Sequence, residues 1–282
     1  MHLAHCQQLE WAMAGKFLRN FCPAGKHQRS SPTAGSRLAR KQCGWNAANM
    51  NEEMCMYDKS LSRVRVWDLP TRLFHWALVT CVTGLAITGS AGGNTMVWHF
   101  RFGYAVLALL LFRLIWGLVG GHWSRFTAFI YAPQSVINYL KGQGKPEHSV
   151  GHSPVGAGSV FAMLVLLLAQ LVTGLISDDE IAFAGPLTRF VSSATVNLAT
   201  NYHANIGKWV LLALVLLHLA AITFYLSRQH KLVGAMLHGD KELPVAAPSS
   251  RDDTASRLAA LLILGLCTAL VYWISGLSAP AF

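Results

Sequence analysis

Five long apolar runs leave this chain few folds to choose from. They fall at about residues 73–88, 99–119, 156–176, 203–226 and 258–277. Crossing a hydrocarbon core of about 30 Å takes around 20 apolar residues. Four of the runs meet that length. The first, LFHWALVTCVTGLAIT, is short unless Thr71 and Arg72 snorkel at its start. Charged residues make up 13% of the chain and hydrophobic ones 53%, roughly half the charge of an ordinary soluble domain. The predicted fold class is an all-α integral membrane protein: a four-helix transmembrane bundle plus a fifth, C-terminal transmembrane helix. That excludes an ordinary soluble enzyme and a disordered protein. It also excludes a nucleic-acid partner, despite a net charge of +10.

The scarce charges set an orientation. Residues 1–65 hold ten Lys/Arg against four Asp/Glu. The loops at 120–155 and 227–256 carry three and four Lys/Arg, the 89–98 connection is uncharged, and the 177–202 loop carries Asp178, Asp179 and Glu180 against Arg189. With five alternating spans, the tail and the loops at 120–155 and 227–256 share one side. The positive-inside rule makes that side the cytoplasm. A multi-pass protein of a bacterial inner membrane is expected, in contact with lipid, with a cytoplasmic N-terminus and its C-terminus outside.

Residues 1–63 read as a basic, disordered tail, for which Met54 or Met56 is a natural alternative start. Residues 64–241 form the transmembrane domain, 242–256 a polar linker, and 257–282 the fifth helix and C-terminus. The six cysteines form no CxxC or CxxCH, so zinc ribbons, thioredoxin-like motifs and covalent haem attachment have no support.

The twelve histidines matter by position. Most, including His122, His148, His152, His230 and His238, lie in polar connections or just beyond a span and read as solvated or interfacial. Four lie at membrane depth: His75, His99, His203 and His218. Successive spans run in opposite directions, so His75 is near the inner face and His99 and His203 near the outer one. His218 lies 15 residues past His203, about 22 Å deeper at 1.5 Å per residue. The four sort into one pair per leaflet, His75 with His218 and His99 with His203. Paired imidazoles from facing helices suit the iron of a low-spin b-type haem. Two other readings stay open. One is a haem-free transporter or proton-conducting protein with histidine relays, which would normally add buried carboxylates; none of the five runs contains Asp or Glu. The other is a purely structural anchor, which has no use for depth-matched histidines.

VRVWDLPTRLFHW, WHFRFGYAVLALLLFRLIWGLVGGHWSRF, GHSPVGAGSVFAMLVLLLAQLVTGL and YHANIGKWVLLALVLLHLAA together resemble the bacterial cytochrome b561 family. The closer likeness is to its branch related to the b-type cytochrome subunit of nickel–iron hydrogenases. The resemblance spans about Val64 to Lys241, with RLFHW and FRLIWGLVGG the most specific parts. It implies a four-helix core with two haem b groups, His75 and His218 ligating the inner iron and His99 and His203 the outer. It further implies electron transfer in a respiratory chain between the quinone pool and a redox partner, such as a dehydrogenase or a c-type cytochrome. The family spaces the two ligands of its fourth helix 14 apart, whereas here the step is 15. A π-bulge or a shifted helix start would absorb the extra residue.

Arg113, 14 residues past His99, lies at the level of the inner pair, as a propionate partner or as a snorkelling anchor. Arg72 is a second candidate there, though it reads better as an interfacial anchor. Arg101 and Lys208 read as solvated helix ends. Gly84, Gly103, Gly117 and Gly174 suit either a flat macrocycle or close helix packing. The acidic patch at 178–180 offers a small docking surface for a basic partner.

Overall fold

The computed structural model describes residues 62–228, 232–243 and 247–277. The tail and its alternative start lie outside the described residues. Five helices are long and apolar enough to cross a membrane. They are α1 (Leu69–Ala91), α2 (Met96–Val119), α4 (Pro154–Leu175), α6 (Lys208–Ser227) and α8 (Thr254–Ser275). Short helices α3 (Pro133–Leu140), α5 (Ser193–Asn201) and α7 (Leu232–His238) occupy the connections. The end where α1, α4 and α8 begin is called the near end, and the other the far end.

The first span is long enough after all. Asp68 caps α1, its side chain accepting from Thr71 N, and Pro70 sits in the first turn, where its missing N–H costs nothing. These signals start the helix four residues before the apolar run and give it 23 residues. Ser153 and Asp253 cap α4 and α8 in the same way.

α2 is the central helix. Val106, Leu110, Phe112 and Trp116 are buried on it against Phe74 of α1, Leu164 and Leu167 of α4, and Ala260 and Cys267 of α8. The fifth span therefore packs on the back of α2. α6 is different: none of its residues is buried, and it touches the bundle mainly through α4. It makes little direct contact with α1, although each carries a histidine of the near pair.

The near end is tied by a two-stranded antiparallel ribbon that the apolar pattern does not announce. It joins β1 (Ser62–Arg65) to β2 (Asp240–Leu243), with Arg65 opposite Asp240. Residues 247–253 lie across this end. Ser250 donates from its backbone N–H to Arg65 O and from its hydroxyl to Val66 O. Asp252 binds Arg65 at 2.7 Å and Arg257 at 3.0 Å, and accepts from Leu69 N at 3.2 Å.

Burial opposes ionisation of Asp252, but the hydrogen bonds from Arg257 and Leu69 and the charges of Arg257 and Arg65 outweigh it and hold the carboxyl below its ordinary range. A carboxylate with a depressed folded-state pKa stabilises above its unfolded value, near pH 4, and loses that contribution as pH falls through the folded value. Asp252→Asn is expected to lower the thermal midpoint at pH 7, with the gap to wild type closing as pH drops below about 4. A gap of constant size would show that the ion pairs contribute nothing.

Candidate functional site

The far pair is assembled from three elements. His99 lies in the first turn of α2. His203 lies in a π-helical segment, Tyr202–Gly207, between α5 and α6. The two rings stand 6.1 Å apart, centroid to centroid, at 89°. His99 Nδ1 lies 3.2 Å from Leu85 O and 3.4 Å from Thr88 Oγ1. His203 Nδ1 lies 2.8 Å from Gln170 O. A carbonyl only accepts, so each Nδ1 carries the proton, which leaves Nε2 with a free lone pair. Glycines make room for both rings. A Cβ on Gly89 would stand 2.9 Å from His99 Cε1, and one on Gly174 would stand 2.7 Å from His203 Cε1. Gly103, one turn along α2 from His99, opens onto empty space.

The π segment answers the 15-residue step. Its turn holds one residue more than an α-turn. The step to His218 therefore advances like 14 α-helical residues and leaves the two histidines about 40° apart around the axis, rather than about 60°. A π turn also frees a backbone carbonyl, and Gln170 takes it: its Nε2 donates to His203 O at 2.9 Å. Gln170 thus grips His203 twice, by side chain to backbone and by backbone to ring. A Cβ on Gly207 would overlap the Gln170 amide, so a larger residue there would push aside the group that holds His203. Gln170 and Gly89 escaped the sequence reading because a lone Gln or Gly in an apolar run has no local signature.

In the near pair, His75 of α1 and His218 of α6 are half-buried and close enough for their charges to interact. Beside them lies a buried polar knot. The Asp68 carboxylate, fully enclosed, accepts from Thr71 N at 2.8 Å, Ser124 Oγ at 2.6 Å, Gly121 N at 3.1 Å and Trp116 Nε1 at 3.3 Å. Arg113 is 4% exposed. It donates to Ser124 O at 3.0 Å and lies 4.8 Å from the centre of the Phe126 ring. It does not snorkel. The FRLIWGLVGG motif now has a physical reading: Arg113, Trp116 and Gly121 all meet the knot. A Cβ on Gly121 would stand 2.5 Å from Asp68 Oδ2, and one on Gly117 would strike Phe126. Asp68 was legible only as a helix cap.

His152 corrects the sequence reading, which left it solvated. Its ring packs 4.7 Å from Trp67 and 4.5 Å from Phe129, and its Nδ1 is buried without a hydrogen-bond partner. Burial, with the nearby charges of Arg113 and His75 acting in the same direction, brings its pKa down to about 3, so the imidazole is neutral. Arg72 reaches Leu237 O at the end of α7 and serves as an anchor. Arg101 and Lys208 lie over the rings of Trp98 and Trp209, as interfacial residues do. The acidic loop folds on itself, with Asp179 accepting from the backbone of Ile181, Ala182 and Phe183.

These residues fit a b-type haem. A metal–imidazole nitrogen bond is about 2 Å long and the ring centre lies about 1 Å further on, so two axial imidazoles have centroids about 6 Å apart. The far pair has that separation. Its Nδ1–H groups are tied to carbonyls, as ligating imidazoles require.

A membrane-spanning helical bundle with a close pair of carbonyl-anchored imidazoles is the scaffold of a membrane cytochrome b. The chain belongs to the prokaryotic cytochrome b561 family, whose profile matches residues 66–239. It is accordingly a multi-pass membrane b-type cytochrome that works in electron transfer. Similar proteins include one from Cupriavidus necator, 25% identical over 69% of this chain and 93% of its own length. Others are from Bradyrhizobium diazoefficiens, 24% identical over 64% and 86%, and Azotobacter chroococcum, 27% identical over 62% and 87%. Each is named a "probable Ni/Fe-hydrogenase B-type cytochrome subunit". No solved structure matches the chain significantly.

Asp68→Ala would strand four donors and the Arg113 charge in a dry interior. It is expected to cost about 3–5 kcal/mol, read as a lower unfolding midpoint of the purified protein in detergent. A loss under about 1 kcal/mol would mean that water or another acceptor replaces the carboxylate.

Proposed function

We propose that this protein is a dihaem cytochrome that moves electrons across the bilayer. His99 and His203 hold one haem at the far end, and His75 and His218 hold the other at the near end. The far-pair geometry carries the reading: two perpendicular rings at haem-spanning distance, each with its Nδ1 already tied to a carbonyl. The bound haem supplies a reversible one-electron iron couple.

The chain's own residues hold, orient and insulate. With two imidazoles holding each haem, no position on the iron would remain open for oxygen. The Nδ1–H bonds to Leu85 O, Thr88 Oγ1 and Gln170 O fix each far ring's tautomer and rotation. The two pairs lie about 20 Å apart along the helices. The apolar side chains between them keep water out. Arg113 is placed at the near level to compensate a haem carboxylate.

By the positive-inside rule the near end is cytoplasmic, in a bacterial inner membrane. One haem would exchange electrons with the quinone pool and the other with a redox partner. The relatives' names favour a nickel–iron hydrogenase as that partner. The Asp179 carboxylate is committed to its own loop, which leaves less acidic surface for a basic c-type cytochrome.

In detergent, the protein is expected to give a b-type reduced-minus-oxidised spectrum and two haem b per chain by pyridine haemochrome assay. A colourless folded protein from haem-replete cells would contradict a haem role, and a single haem would contradict the pairing. His218→Ala should lose one haem and keep the other. Gly174→Val, which drives a side chain into the His203 ring, should remove the far haem. Deleting Asn205 should retain both, because an α-helical step of 14 keeps the ligands in phase.

A further inference from the structure

Among the described residues, four buried side-chain polar atoms find no hydrogen-bond partner: Arg72 Nε, Arg125 Nε, His152 Nδ1 and Gln170 Oε1. Three of them are nitrogens at the near end. Native proteins rarely leave such groups unpaired, and each calls for a missing partner. Arg72 has a second attachment, to Leu237 O. Among the described residues, the side chains of Arg125 and His152 make no hydrogen bond at all.

Both belong to the surroundings of one aromatic cluster. Phe126, Phe129 and Phe161 pack mutually at 5.4–5.9 Å. Arg125 immediately precedes Phe126, and His152 lies against Phe129. Arg113 lies over Phe126. His152 is close enough to both Arg113 and His75 for their charges to reach it. The one enclosed carboxylate nearby, Asp68, already accepts from four donors. This end therefore has a surplus of N–H donors and positive charge beside a ligand histidine. An anion with carboxylate chemistry would satisfy it.

The geometry points to a carboxylate-binding cradle in which His152 and Arg125 donate to the propionates of the haem bound at His75. This rests on the near-haem reading above. It assigns to the GHSP segment a cofactor contact, where a solvated loop was expected. The same donors would suit a lipid phosphate or a free anion, so the test must separate those sources from the haem carboxylates.

The test uses the full-length protein with haem bound, its propionate carboxyls labelled with ¹³C by feeding a labelled precursor. Redox-difference infrared spectra and potentiometric titrations are recorded for wild type, His152→Phe, His152→Gln and Arg125→Gln. In His152→Phe, a label-sensitive carboxylate band is expected to shift. One of the two midpoint potentials should move downward, because an uncompensated propionate favours ferric iron. Haem content should stay at the wild-type level. His152→Gln, which keeps an N–H donor, should restore most of both signals. Arg125→Gln should move the same midpoint.

Unchanged bands and midpoints in His152→Phe would overturn the assignment. So would a shift confined to unlabelled phosphate bands, or one abolished by exchange of lipid or buffer anion. If His152→Phe fails to fold, Arg125→Gln and His152→Gln carry the test, and wild-type spectra in both would overturn it equally. Failure of the two-haem reading shows separately, as fewer than two haems in the wild type before any variant is compared.

Discussion

An imidazole held within a hydrocarbon slab must find a partner for each of its nitrogens, and that requirement organises this chain. At the far end the Nδ1 side is satisfied by protein: Leu85 O and Thr88 Oγ1 for His99, and Gln170 O for His203. The Nε2 side keeps its lone pair, which would suit a metal. Small residues on neighbouring helices follow from the same requirement, since Gly89 and Gly174 clear the space that the rings occupy. So does the one irregular turn in the spans. At Tyr202–Gly207 a π turn absorbs one residue, so the 15-residue step from His203 to His218 keeps the phase of a 14-residue α-helical one.

The helices divide the work unequally. α2 is the packed centre, buried against α1, α4 and α8. It carries His99 at one end and Arg113 with Trp116 at the other. α6 carries His218, with His203 in the π segment just before it, and contributes almost no core. A flat prosthetic group bound beside such a helix would supply the contacts it lacks. Burial of such a group would stabilise the bundle by mass action. The near end is closed by polar means instead: the Asp68 knot, the β1–β2 ribbon and the Asp252 ion pairs tie segments far apart in sequence.

The five apolar spans were legible in the sequence because they rest on a local property, run length. The approach of His99 to His203 was legible from rise per residue, which converts sequence position into depth along the spans. The 15-residue step even announced an irregular turn. What stayed hidden depends on tertiary folding. His152 looks like a loop histidine until the 120–132 loop folds Phe129 against it. Asp68 looks like a helix cap until Trp116, Gly121 and Ser124 arrive from 48 or more residues away. The ribbon between residues 62–65 and 240–243 joins segments more than 170 residues apart, and no local pattern encodes such a pairing.

The central claim is two haems, each between two imidazoles. Electron paramagnetic resonance of the oxidised protein addresses it most directly, because the ferric signal reports both the number of axial nitrogen ligands and the relative angle of their rings. Two low-spin ferric signals are expected. The far haem's should be of the strongly anisotropic type that near-perpendicular imidazoles produce, given the 89° between His99 and His203. A high-spin signal from an intact sample, or a single low-spin species accounting for all the haem, would contradict it.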